Sequence, residues 1–560
     1  MLSRIRTMSG RAPLSKLVKR TRRNALPYLP PELLVLIFGQ LRLIDPPKMA
    51  AKKALEQLLK DGEKIDLTQH FSDLGWIKII HVCGLWRKAA LNYTNLWTDI
   101  PNCDMPSQWI MFMLRQSLTT QISIAVDLST YPLASAFNTI NAIRQAIPRT
   151  RELTLDVYSA SLFGPLQNAR VLEALTLTGE DAILASSGFI LPNKLPRALT
   201  SLALRGCFIP LTHTRFRTLR HLELATYIPI HMTRDHKLHL LWNADTMRRA
   251  LDGMPDLKTL RLRNAFPTMS VYQDRNFQLL DPIGLPEGLE RLELVGGTED
   301  VQECLAGLVV PKKTVVDVVL DSVIVKGVNY DKALRRVCGA ARKPRVVALQ
   351  YGQEDMSYSF AVRMWDGREG QCLSDRADAD VTVRLDAWAG LDGRVLRALA
   401  EASLEALCLD EVVEMRCDMG KTLYPDSISG REWEDYDWKP ILTRARGVET
   451  ICVSGRKALE GVMKALTKAD DQSGDEESLD GAVVCPALTK LIVRDVEWAA
   501  DAQKEKGKGP VELQKAVKEC LKARKDAGLL VDVLEVSKVS GGDIRWLEDV
   551  KKLGVDVRVV

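Results

Sequence analysis

The 560-residue chain is 46% apolar and 27% charged, the balance of a soluble globular protein with room for three or four ordinary domains or one long repeat array. No run approaches the roughly 18 consecutive apolar residues of a membrane-spanning helix, and the eleven cysteines are scattered without a C-x-x-C pair or a Cys/His cluster at zinc spacing, the usage of reduced thiols inside a cell. The net charge of +5 comes from one end, because residues 1–25 hold eight basic residues and no acid, and the rest of the chain has 69 basic against 72 acidic residues.

A near-neutral body gives no broad nucleic-acid footprint, so neither nucleic acid nor membrane is an expected partner. The 1–25 segment (Arg4, Arg6, Arg11, Lys16, Lys19, Arg20, Arg22, Arg23) reads as a disordered basic leader. Its KRTRR cluster also has the form of a nuclear import signal, and its acid-free, Arg-rich start that of a mitochondrial transit peptide.

The first predicted element lies in LPYLPPELLVLIFGQL, residues 26–41. Pro30 and Pro31 offer a fixed-φ start for a helix beginning near Glu32. That helix is apolar nearly all round, with Leu33 through Phe38 unbroken by a polar residue. Residues 42–72 form a long connection containing the charged helical piece KMAAKKALEQLLKDG. The next segment, WIKIIHVCGLWRKAALNYTNLW, spends three of the eleven tryptophans on residues 76–97. Placed on one helix, Trp76, Ile79, Ile80, Cys83, Trp86 and Ala90 make a broad stripe, and Val82, Leu85 and Ala89 a second one. A helix apolar on two faces is covered twice, by its own core or by a partner. Gly84 falls inside this helix and is expected to weaken it by about 1 kcal/mol relative to Ala.

These two segments together resemble the F-box-like domain, in the form abundant in fungal proteins. The resemblance rests on Leu29, Pro30, Pro31, Glu32, Leu33, Leu34, Ile37, Phe38 and Leu41, then His81, Val82, Cys83, Trp86, Arg87, Ala90 and Leu91, and finally Leu96 and Trp97. It spans residues 26–100. It implies a small three-helix domain that docks on the Skp-type adaptor of a cullin ubiquitin ligase, with Leu29, Pro30, Leu33, Ile37, Val82, Cys83 and Trp86 supplying the contact. Trp86 above all also fits the domain's own core.

Residues 101–560 carry a repeat. LTSLALRGCFI from Leu199 matches the leucine-rich-repeat strand L-x-x-L-x-L-x-x-C-x-L with Ile last. The shorter L-x-x-L-x-L recurs at Leu172, Leu219, Leu257, Leu289 and Leu404, with conservative versions at Val448 and Leu488. Each such strand is expected to turn its leucines inward and expose the residue between them. The column Leu175, Leu202, Leu222, Leu260 and Leu292 should stack across parallel strands. Helical patterns lie between, in ADTMRRALDGM, GRVLRALAEA, GRKALEGVMKALTKA and ELQKAVKECLKARKDAG. Strand plus outer helix, stacked, predicts an α/β solenoid with a parallel sheet inside. Between Leu294 and Leu404 only VVAL at Val346 and VTVRL at Val381 read as strands, and LLVDVLEV through DVRVV closes the array.

The exposed inter-leucine positions Ala203, Glu223, Arg261, Glu293 and Cys408 form no stripe of one charge; Glu223, Arg261 and Glu293 are candidate partner contacts. The loop 423–440 gathers Tyr424, Trp433, Tyr436 and Trp438, of which Trp433, Tyr436 and Trp438 are candidate anchors for a protein partner, or fold against their own domain. The acidic segment 469–480 reads as a solvated disordered loop, in which Ser473, three places before Glu476, alternatively reads as a phosphorylation position. His213, His221, His231, His236 and His239 crowd one region without metal-site spacing, and no phosphate loop, nucleophile elbow or dinucleotide fingerprint is present. The expectation is therefore a non-enzymatic binding protein without cofactor, in the cytoplasm or nucleus. It would be the substrate-recognition subunit of an Skp–cullin–F-box-type ligase, or alternatively a scaffold whose F-box-like cap does not engage the adaptor.

Overall fold

The computed structural model describes residues 29–46, 75–100, 107–127, 133–156, 168–179, 198–206, 216–226, 243–267, 270–273, 276–279, 282–311, 313–322, 346–354, 357–365, 381–388, 409–419, 438–467, 484–494, 496, 510–537 and 545–560. The 1–25 leader and nearly all of the 42–72 connection lie outside them. The chain folds as two compact units, Met1–Ala174 and Leu175–Val560, so the block read from the sequence as 101–560 is divided between them. Among the described residues no helix is long and apolar enough to cross a membrane.

In the first unit, helix α1 (Pro31–Ile44) begins where the sequence places it. Pro31 occupies the first helical turn, where its missing N–H costs nothing, and the Pro30 carbonyl accepts from the amides of Leu33 (3.0 Å) and Leu34 (3.1 Å). Glu32 in the first turn and Arg42 in the last suit the helix dipole. The helix buries Leu34 and Phe38, one turn apart.

The following segment is not one helix. A 3-10 turn (Gly75–Lys78) leads into α2 (Ile79–Val82), which stops at Cys83; α3 (Gly84–Asn92) then restarts. The break is local and chemical. Cys83 is extended (φ −157°, ψ 169°), and its Sγ accepts the Trp86 amide at 3.5 Å as the N-cap of α3. Gly84 is thus the first residue of a helix, not an interior weakness. Gly75 has φ +51°, and a Cβ there would run into the backbone of Asp45 and Pro46. Glycine is therefore required where the chain closes on the end of α1, and the Trp76 amide seals that closure on the Asp45 carbonyl at 2.7 Å.

The tryptophans divide between core and surface. Trp76 and Trp97 are buried and meet at 5.1 Å between ring centroids, Trp97 meets Phe112 edge-on at 5.3 Å, and Trp97 Nε1 donates to the Ala90 carbonyl at 2.8 Å. Such pairs contribute about 0.5–1.5 kcal/mol beyond the area they bury. The stripe drawn on a single helix survives only in part: Trp76, Ile79, Ile80 and Ala90 are buried, while Cys83 is exposed and Trp86 half-buried.

Three parallel strands complete this unit: β1 (Asp99–Ile100), β2 (Ile122–Asp127) and β3 (Thr150–Asp156). Helices α4 (Ser107–Gln116) and α5 (Leu133–Ala146) fill the crossovers, as parallel connections require. The Arg149 guanidinium closes the end of α4, donating to the carbonyls of Leu114 and Thr120, both at 2.8 Å, and to Ser117 Oγ at 3.0 Å.

The second unit is mixed α/β around a large, mainly parallel sheet. Strands Ser201–Arg205, His221–Ala225, Thr259–Arg263, Arg291–Gly297 and Val315–Ser322 pair in parallel, in sequence order. Their register aligns Leu202 with Leu222, Leu260 and Leu292, all buried, as the repeat spacing predicts. A second parallel run joins Glu414–Met419, Thr450–Ser454, Lys490–Arg494, Val533–Val536 and Asp556–Val559. The motif's first apolar residue has a constant task. The amides of Leu219, Leu257, Leu289, Val412, Val448 and Leu488 each donate to the carbonyl three residues back, closing a turn ahead of the strand.

Between the two runs the sheet departs from the expected pattern. Val346–Glu354 and Val381–Trp388 each pair antiparallel with Ser357–Trp365. Glu354 faces Ser357 across a tight hairpin, and so short a link cannot make the crossover of a dozen or more residues that parallel strands need. Three of the helical patterns are helices, Ala244–Asp252, Arg456–Thr467 and Pro510–Asp526. The fourth, GRVLRALAEA, lies outside the described residues.

Candidate docking surfaces

Three sets of residues were expected to meet partners, one on α1–α3, one on the strand face and one in the loop 423–440. On α1 the heptapeptide Leu33–Gly39 presents more apolar residues than one helix face can hide. Leu34 and Phe38 turn inward; Leu33 and Ile37 stay 45% and 38% exposed. Leu29, Pro30 and Leu36 are exposed beside them.

The second half is the Cys83 corner. Val82, ending α2, is 58% exposed, and Leu85, opening α3, is also exposed. Three residues fix this corner. Cys83 caps α3, Trp86 stacks against Phe38 of α1 at 5.3 Å, and Arg87 Nε donates to the Ile80 carbonyl of α2 at 2.6 Å. The V-C-x-x-W-R spacing therefore has a mechanical explanation. It places an N-cap, an inter-helix aromatic and a guanidinium that satisfies the preceding helix within one turn. All seven residues expected to touch an adaptor are described; six are exposed, and half-buried Trp86 serves both the core and the surface.

Compared with models of known protein families and with curated proteins, the chain matches none.

On the strand face Glu223, Arg261 and Glu293 are register neighbours on three successive strands. They are joined to one another. Arg205 Nε bonds Glu223 at 2.7 Å, Arg261 reaches Glu223 at 3.3 Å and Glu293 at 2.6 Å, and Arg291 meets Asp317 at 3.0 Å. Burial pushes the Glu223 carboxyl up, but hydrogen bonds and charge from Arg205 and Arg261 outweigh it and leave its pKa below the ordinary value. Burial likewise opposes the Arg261 charge, and Glu293 with Glu223 more than restores it, raising its pKa. The ladder alternates in sign and is satisfied internally, so a partner laid on it would meet polar edges with little net charge.

The remaining candidates separate. Trp438 is only 4% exposed and sits just ahead of helix Lys439–Arg444, so it is a core residue and not an exposed anchor. Trp433, Tyr436, Cys408 and Ser473 lie outside the described residues, as do all the crowded histidines except His221. No cluster of metal-ligating side chains occurs among the described residues. Ala203 is buried, not exposed.

Among the features of the first unit that sequence reasoning missed is a cavity. It measures about 300 Å³ and lies between the end of α1 and strands β1–β3, lined among others by Arg42, Trp76, Asp99, Ala125 and Glu152. Its sequence signal is a set of short side chains, Ser123 and Ala125 on β2 and Thr154 on β3, which pairing brings onto one sheet face.

Proposed function

We propose that the chain is the substrate-recognition subunit of an Skp–cullin–F-box-type ubiquitin ligase. Residues 26–100 act as the F-box-like handle, and the strand-and-helix repeats act as a leucine-rich-repeat solenoid that reads the substrate. The observation that carries this reading is the division within α1: Leu34 and Phe38 are buried while Leu33 and Ile37, at positions of the motif, remain exposed together with Val82. Apolar residues left open on a small helical domain mark an interaction surface when they form one patch. The repeat half is supported by the leucines in register on parallel strands and by the recurring turn that precedes them.

In this role the protein performs no bond chemistry. It holds a substrate near a charged ubiquitin-conjugating enzyme and raises the effective concentration of the reacting lysine. The test is co-purification of the full chain with excess Skp-type adaptor, beside the double variant Leu33→Asp/Ile37→Asp. The wild type is expected to retain the adaptor and the variant to lose it, because two carboxylates would be desolvated at the contact. Exposure of both side chains in the free chain means that the variant should keep a wild-type circular-dichroism spectrum. Failure of the wild type to retain the adaptor would leave the scaffold reading in its place.

A further inference from the structure

The cavity in the first unit is built from three strands and the end of one helix. Parallel pairing sets Asp99 of β1 beside Ser123 of β2, and Ser123 beside Glu152 of β3, so the three share one row on one face of the sheet. The row above holds Ala125 beside Thr154. Ile122, Ile124 and Leu153, on the alternate positions, are buried. The floor is therefore short side chains, which is why space remains there. Leu43 and Pro46 from the end of α1, with Trp76, add apolar lining.

The charges of this site do not cancel. Arg42 is committed to Asp99 at 3.3 Å and to the Asn95 carbonyl at 3.2 Å. Glu152 lies 3.5 Å from Arg151, but that guanidinium holds Glu173 more closely, at 3.0 Å. Arg42, Asp99 and Glu152 are the charged groups lining the cavity, and their sum is one negative charge. This is the reverse of the Glu223–Arg261–Glu293 face, where long side chains occupy the inter-leucine positions and satisfy one another. A volume of about 300 Å³ stands at the bottom of the ~300–1,000 Å³ range of ligand cavities. It suits one side chain and not a nucleotide or a large cofactor.

We infer that this cavity is a binding subsite for the cationic side chain of a peptide, a lysine or arginine whose aliphatic stem lies against Leu43, Pro46 and Trp76 and whose charged end meets Glu152. Ser123 and Thr154 offer hydroxyl acceptors to the same group. The guanidinium or ammonium stays near the open mouth while its stem is covered, the usual compromise of amphipathic side chains. Binding here is independent of adaptor docking and would hold equally in a scaffold protein.

The test uses the full chain with labelled leucine and isoleucine methyls, because Leu43 lines the cavity. The probes are acetyl-Gly-Arg-Gly-amide and acetyl-Gly-Lys-Gly-amide, with the neutral, isosteric acetyl-Gly-citrulline-Gly-amide as control. Saturable methyl shifts at Leu43 are expected with the cationic peptides and not with the citrulline peptide. Glu152→Gln, which keeps size and removes charge, should weaken binding at least tenfold; Ala125→Leu, which fills the floor, should abolish it. Isoleucine methyls of the second unit report that each variant is folded. Absence of shifts with both cationic peptides, equal shifts with citrulline, or undiminished binding by Glu152→Gln would each overturn the proposal.

Discussion

Leucine meets opposite fates in the two units. In the second, Leu202, Leu222, Leu260 and Leu292 are each covered because the next strand brings another leucine into register. In the first, Leu33 and Leu36 on α1 are exposed although they belong to an equally apolar run. The difference is geometric. A strand with period two has a whole face to hide its leucines, and stacking repeats that face. A helix that is apolar all round but packed on one side only turns the surplus to solvent. Exposed leucine thus teaches more than buried leucine, since only the former calls for a partner.

The comparison breaks most readily at its buried end. Leu260→Ala should destabilise the second unit by about 2–5 kcal/mol, the range for a truncated core leucine with a leucine stacked on either side. Leu34→Ala should cost the first unit a similar amount. Denaturant unfolding, followed with hydrogen exchange to assign the loss to one unit, measures both. An unchanged midpoint for either variant would contradict the packing described above.

The charged ladder offers an effect of intermediate size. Glu223→Gln removes the carboxylate shared by Arg205 and Arg261, at an expected cost on the order of 1 kcal/mol at neutral pH for a partly screened network. Because the folded pKa lies below the ordinary 4.5, the carboxylate's contribution is complete above that value and is lost as pH falls through the depressed one. The wild type and the variant should therefore converge in acid and diverge towards neutrality. Stability curves that stay parallel from pH 2 to 7 would contradict this ladder.

The smallest effects sharpen the exposed end. Leu33→Ala should alter stability by less than about 0.5 kcal/mol, as for an ordinary surface change, while weakening capture of the adaptor. The contrast with Leu34→Ala, one residue away, is the sharpest available. Gly84→Ala should stay within the same small margin, since a Cβ there meets nothing and the residue opens a helix.

The strands Ala174–Thr178, Ser201–Arg205, His221–Ala225, Thr259–Arg263 and Arg291–Gly297 were legible because leucine marked them. Valine marked others, at VETICV, VVAL and VTVRL, and the strand Glu414–Met419 was missed. Residues 404–408 of LEALCL lie outside the described residues and Leu409 starts a 3-10 turn, while the same motif spacing recurs without leucine at Val412, Met415 and Cys417, buried ahead of and within strand Glu414–Met419. Strand β2 escaped for the same reason, its inward residues being isoleucines. The antiparallel strand Ser357–Trp365 was invisible because alternation along one strand says nothing about the direction of its neighbour. In the first unit the start of α1 followed from Pro30 and Pro31, and the exposed leucines followed from excess apolarity. The break at Cys83 did not, since cysteine is an uncommon N-cap and the flanking residues keep helical spacing. The cavity could not be placed from its short side chains alone, because it depends on which strands lie side by side.

The cap at Cys83 has a practical consequence for footprinting. Among the described cysteines Cys83 is exposed, whereas Cys304, Cys417, Cys452, Cys485 and Cys520 are buried. Burial raises the Cys485 thiol to about 12 and the Cys520 thiol to about 11, which keeps both in the protonated, slow-reacting form near neutral pH. A maleimide pulse on the native protein, read peptide by peptide in a mass spectrometer, should therefore modify Cys83 well ahead of those five. The alkylation rate at that one sulfur then becomes an occupancy gauge for the α1–α3 surface, already present in the unmodified chain.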